Sequence, residues 1–204
     1  MQAGAAELIA PGRYRLTRLL RGQRGTEAAM GDPTPEGARV VVLDDSLTPL
    51  PISEADLGLP WNWRIGPAAR PPGDDSYVAA SFTPEGAGLR PFSVAHIEQP
   101  WRRARSPGDL TIQWVRRSRA LSADNWGAGD VALAEELEAY EVDILDGATV
   151  QRTLNTSTSA VYSGADQIAD WGALLGPGDT LTIRIAQFSA LIGRGVARTV
   201  TLFF

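Results

Sequence analysis

The 204-residue sequence predicts an all-β protein, with a small β-rich N-terminal domain over 1–92 followed by an immunoglobulin-like β-sandwich over 93–204. Three observations predict it. Fourteen prolines and 21 glycines cut the chain into short segments, and few windows hold an apolar period near 3.6 for more than two turns. Apolar residues alternate in the second half, at Leu110, Ile112 and Trp114, at Tyr140, Val142 and Ile144, at Leu181, Ile183 and Ile185, and at Val196, Val200 and Leu202. About seven strands in roughly 110 residues, with a buried tryptophan early and a tyrosine on the next strand, meet the requirements of such a sandwich.

The elements follow in order. Arg13–Thr17 alternates polar and apolar residues, as a half-buried strand does, and the glycines at 22 and 25 offer a turn after it. Val40–Leu43 is a β-branched run bounded by Gly37 and Asp44-Asp45, which predicts a strand buried on both faces. Residues 60–64 and the proline-rich stretch 67–73 read as ordered loop, and Tyr77–Phe82 as a third strand. The domain boundary falls near Ser93. In the second half, Asp146-Gly147 predicts a hairpin, because glycine tolerates the positive φ of primed turns. One helix is expected after Ser163 as cap, with Asp166 three residues on, Ile168, Trp171 and Leu175 at helical spacing, and Gly176-Pro177 as its stop.

Composition excludes several function classes. The basic residues are nineteen arginines and no lysine, against 24 acids, for a net charge of −5. An acidic balance argues against specific nucleic-acid binding, which rests on positive surfaces. Without cysteine there are no disulfides or thiolate sites, and His96 alone builds neither a zinc cluster nor an imidazole relay. No catalytic residue, metal or cofactor is expected. No apolar run approaches the roughly 20 residues of a membrane span, and residues 1–10 lack the pattern of a signal peptide.

Charge is concentrated in two places. Arg13, Arg15, Arg18, Arg21 and Arg24 share a twelve-residue stretch free of acids, a candidate basic patch for phosphate or lipopolysaccharide. The competing reading pairs them with Glu27, Asp44, Asp45 or a neighbouring subunit. Arg102, Arg103, Arg105, Arg116, Arg117 and Arg119 form a second cluster, and residues 124–146 hold eight acids and no arginine. Pairing between these two stretches is the simplest expectation.

Other candidates are weaker. Glu135, Glu136 and Glu138 do not suit glycosidase chemistry, whose carboxylates face each other across a sugar at about 5 to 9 Å, since Glu136 and Glu138 share a strand face. Asp44-Asp45 and Asp74-Asp75 lack the spaced ligands of a calcium loop and read as turn residues. Trp61 and Trp63 would share one face if extended and could stack on sugar rings, as could Trp101 and Trp126. Packing at the domain junction is the alternative. His96 reads as structural.

Two resemblances add to this reading. Leu110–Trp114, Tyr140-Glu141-Val142, Tyr162, Thr182–Ala186 and Gly193-Arg194-Gly195 follow the order of cues in a fibronectin type III domain. Leu181 stands near the position of the tyrosine that closes that family's corner. Over nearly the whole chain, Tyr14–Glu27, Gly88–Ser93, Trp114–Arg119 and Gln167–Gly172 resemble the C-terminal part of phage-tail proteins. The similarity is to the large baseplate protein of gene transfer agents, the megatron, and to host-specificity tip proteins. It implies a structural part at the tail tip or baseplate of a phage-like particle, made in the bacterial cytoplasm and facing the recipient envelope. The partners implied are other tail or baseplate proteins and two further copies in a homotrimer, with a cell-surface glycan as a possible contact. In that family the segment follows a barrel of about 250 residues, which 204 residues could not hold beside a sandwich, so the chain is expected to be a C-terminal region.

Overall fold

The computed structural model describes residues 1–98, 107–120 and 131–204. Their strands are β1 (Gln2–Ala10), β2 (Arg13–Leu20), β3 (Trp61–Ile65), β4 (Val78–Phe82), β5 (Leu110–Gln113), β6 (Tyr140–Asp146), β7 (Thr149–Thr156) and β8 (Ser159–Tyr162). The helix α1 (Gly164–Trp171) follows, then β9 (Thr180–Ser189), β10 (Gly193–Arg194) and β11 (Arg198–Phe203). All pairings are antiparallel, and the class is all-β, as the alternation predicts. No helix among the described residues is long and apolar enough to cross a membrane.

The chain forms two compact units, one of Met1–Met30 with Gly88–Phe204 and the other of Gly31–Ala87. Residues 1–30 therefore group with the C-terminal half, although they precede the other unit in sequence. Local contacts show why. The Glu27 carboxylate accepts hydrogen bonds from Ser93 and Arg117, and Gly25, at φ 75°, lies so close to Phe92 that a Cβ there would meet the ring at 2.7 Å.

In the larger unit, β9 is central, pairing with β6, β10 and β11, while β7 extends the sheet beyond β6. A second sheet is β5 with β8. Period-two alternation turns Val142, Ile144, Leu181, Ile183, Ile185 and Leu202 of the first sheet inward. They share one buried cluster with Leu110, Ile112, Ala160 and Tyr162 of the second. Trp114 lies one residue beyond β5 and is half-buried, not a fully buried strand residue. Its ring meets Tyr140 edge-on, with centroids 5.1 Å apart.

The β6–β7 hairpin forms where expected, with Gly147 at φ 58° as the first loop residue and Asp146 still in the strand. The Ser163 hydroxyl accepts from the Asp166 amide and donates to its carboxylate, capping α1 as predicted. The helix stops at Gly172, at φ 79°, before the expected Gly176-Pro177. Ile168 faces solvent, and the buried helical side chain is Gln167.

Three expectations for the first third are corrected. Arg13–Thr17 is a strand, but exposed on both faces, because the strand it pairs with, β1, is itself exposed along nearly its whole length and brings no core with it. In the smaller unit, Val40–Leu43 is not a buried strand. It is extended chain, 63% to 86% exposed, and no described strand pairs with it. Conversely Trp61–Ile65, read as loop, is β3, its polar and apolar residues held in register with β4 from Trp61 opposite Phe82 to Ile65 opposite Val78.

Candidate functional site

Residues i and i+2 of a strand share a face, and β3 places Trp61 and Trp63 accordingly. The two indoles stack on each other, with centroids 5.3 Å apart and planes 22° apart. Each ring thereby gives one face to its neighbour, so a ligand meets the outer face and the edges. The Trp63 indole N–H is buried without an acceptor among the described residues. Nearby, the Asp56 carboxylate accepts from the Ser53 hydroxyl and amide, both at 2.7 Å. Those bonds, with a smaller contribution from the Trp61 indole, hold the Asp56 carboxyl below its ordinary range. Trp101 and Trp126 lie outside the described residues.

The arginine stretch follows β2 and the turn after it. Arg15 meets Glu7 across the hairpin at 3.4 Å, both side chains largely exposed, which makes the pair weak. Arg18 sits at φ 53° and donates to the Gly4 carbonyl at 3.2 Å, its stem lying over the glycine. Arg13 opens β2, Arg21 follows its end, and Arg24 belongs to the short turn Gln23–Gly25. Two of the acids proposed as their partners have local contacts of their own. Glu27 takes Arg117 and Ser93, while Asp44 accepts from the Ser46 hydroxyl and amide.

The acid candidates of the larger unit are tied into ion pairs. Arg119 grips Glu135 with two nitrogens, at 2.7 and 3.2 Å, and Arg116 meets Glu138 at 2.8 Å. Burial, then the neighbouring Glu138, pushes the Tyr140 phenol up to about 12. Glu136 accepts from the Ala190 amide. Pairing between the second arginine cluster and the acidic stretch is thus realised for Arg116 and Arg119. Arg102, Arg103, Arg105 and Asp124 lie outside the described residues. Asp74, like Asp44, closes a serine turn through Ser76. His96 is exposed, in left-handed backbone at φ 47°. No group of three or more metal-ligating side chains occurs among the described residues.

Three polar arrangements escaped sequence reasoning. On the outer face of the large sheet, Asp143 is 1% exposed and accepts from Thr153, Arg184 and Arg194. Burial acts to raise its carboxyl, but these bonds outweigh it and hold the group below its ordinary value. Asp170 of α1 takes both Arg152 nitrogens, at 2.7 and 2.8 Å, and the Tyr162 hydroxyl at 2.8 Å. Burial and that carboxylate raise the Tyr162 phenol, and the Arg152 bond depresses Asp170. Gln167 is fully buried, donating to the Gly108 and Tyr162 carbonyls and accepting from the Leu175 amide. The signal available was the opposed charge of strands three or more apart, which fixes no register by itself.

Two open grooves accompany these networks. One, of about 360 Å³, runs past Trp171, Leu174, Asp179 and Leu181, and another, of about 230 Å³, past Trp114, Arg116, Glu138 and Tyr140. In the second, the Glu138 carboxylate accepts from Arg116 and from the Tyr140 hydroxyl.

Residues 1–41 match the model of a family described as Rcc01698-like, C-terminal. No curated protein matches the chain. Among solved structures, the chain is similar to the rat CD45 extracellular region, domains d3-d4, at 8% identity and a TM-score of 0.36, covering 97% of this chain and 92% of that one.

Proposed function

We propose that the chain is a non-enzymatic structural component of a phage-like tail tip or baseplate, of gene transfer agent type. The observation that carries this reading is the family match over residues 1–41, since that family name is associated with gene transfer agents. The matched stretch contains the exposed β1–β2 hairpin, an element that buries nothing within its own sheet and therefore suits an assembly contact. The two packed sheets of the larger unit act as an immunoglobulin-like, fibronectin type III-like module that presents surfaces to other tail proteins and to the recipient cell. In the intact particle the chain works as a homotrimer, with no membrane span and no specific hold on nucleic acid. Immunogold labelling of intact particles with antibody to this chain tests the reading. Gold at the distal end of the tail is expected, and particles that carry no label would overturn it.

A second reading is favoured by the stacked Trp61 and Trp63, whose outer indole face and edges form a small aromatic surface of the kind that meets sugar rings. On this reading the chain also binds envelope or capsule glycan.

A further inference from the structure

A β-branched run with strong preference for paired, extended backbone lies in water at Val40–Leu43. Such a conflict between local preference and the environment of a single chain is expected where a segment acts on something else. Elsewhere the chain offers what that segment lacks. The β1–β2 sheet has only two strands, so each has an outer edge unpaired among the described strands, and two-stranded ribbons gain stability from a third. One face of this hairpin carries Leu8, Tyr14, Leu16 and Leu20, all exposed.

Charge selects the partner. Residues 1–20 hold three arginines and one glutamate, while residues 31–87 hold nine acids and three arginines, a net charge of −6. The segment is followed directly by Asp44-Asp45, and β2 begins with Arg13 and Arg15. We propose that Val40–Leu43 of one copy adds as an antiparallel strand to the free edge of β2 in a second copy of this chain. Antiparallel placement with Leu43 opposite Tyr14 sets Asp44 opposite Arg13 and diagonal to Arg15 on the same face, where Arg15 has only the long, exposed contact to Glu7 to give up. Arg18, at φ 53°, breaks the regular run of β2 and leaves Arg13–Thr17 as the pairing length, enough for Val40–Leu43 and Asp44. Main-chain bonds supply affinity in this mode, and the flanking charges set direction. A contact between two different surfaces of identical copies is heterologous, so its repetition closes a ring or propagates. The inference deepens the assembly reading above and rests on it for biological sense only. Self-association is measured in the purified chain and particle location in the intact particle, so either can fail alone.

The test is sedimentation equilibrium of the full 204-residue chain from micromolar to near-millimolar concentration, with hydrogen exchange read at Val40–Leu43. Association that protects those amides is expected. Val41→Pro, which removes a donor at an exposed position, should weaken it at least about tenfold, as should Asp44→Arg with Asp45→Arg. Adding Arg13→Asp and Arg15→Asp to that charge variant should restore it. Three outcomes overturn the proposal: a monomer throughout the range, association unchanged by Val41→Pro, or amide protection independent of concentration, which would mean pairing within one chain.

Discussion

Asp143 and Arg184 stand directly opposite each other on β6 and β9, and the Arg184 Nε and Nη2 both donate to one Asp143 oxygen, at 2.9 and 2.8 Å. Arg194 from β10 and the Thr153 hydroxyl complete the shell of the carboxylate. The acid thus joins three strands and the short β10 at one buried point on an otherwise polar sheet face.

Removing that acid leaves two arginines without their shared partner. Both guanidiniums are about one-third exposed, so water recovers part of the loss. Asp143→Ala should therefore destabilise the larger unit by about 2 kcal/mol, below the 3 to 5 kcal/mol of a fully buried broken pair. Urea denaturation of the two proteins measures it, and an unchanged midpoint would refute the role given to Asp143.

Acid should destabilise the fold through the same groups. Asp143, Asp170 and Glu27 all have folded-state carboxyls depressed below their ordinary values. Their contribution is complete above the unfolded value, about 4, and is lost as pH falls through the lower folded values. Melting temperature should be flat from neutrality to about pH 5 and then drop, with a smaller drop in Asp143→Asn. A melting temperature that rises on acidification would contradict the sign.

Gln167 connects the helix, the Gly108 carbonyl and the turn to Leu175 with three hydrogen bonds and no exposure. Gln167→Leu keeps the volume but strands two carbonyls and an amide. The expected cost is about 2 to 4 kcal/mol, read by thermal or chemical unfolding, where a neutral result would show that water replaces the side chain.

Legibility in the sequence followed the source of each element's stability. Strands β5, β6 and β9 announce themselves because one face of each enters a common core, and burial imposes period two. The Ser163 cap and the Gly147 turn were readable because their chemistry is local. Val40–Leu43 and Trp61–Ile65 were exchanged, strand for loop, because propensity alone decided them: the first pairs with no described strand, and the second pairs with β4. Strand β1 was missed since Ala3–Ala6, all small residues, carry no alternation. Of the candidate site, the Trp61–Trp63 shared face was legible, but their mutual stacking was not, because rotamers of aromatic pairs depend on neighbours. The Asp143 network depends on register with arginines 41 and 51 residues away, and the Asp170 network on how α1 meets β7 and β8.

The tryptophan pair gives the glycan reading a direct check. Titration calorimetry with envelope saccharides should show micromolar binding that Trp61→Ala weakens, the substitution costing about 1 to 3 kcal/mol of affinity as loss of a stacking platform does. Heat that is equal for the two proteins would remove the tryptophans from any such role.

The assembly role is tested most directly by electron cryo-microscopy of an intact particle. The two-sheet unit of Leu110–Phe203 is expected in density at the distal end of the tail, repeated by threefold symmetry, with the β1–β2 hairpin against a neighbouring subunit. Density at the tail tip that this chain cannot fill, or its location outside the tail, would contradict the assignment.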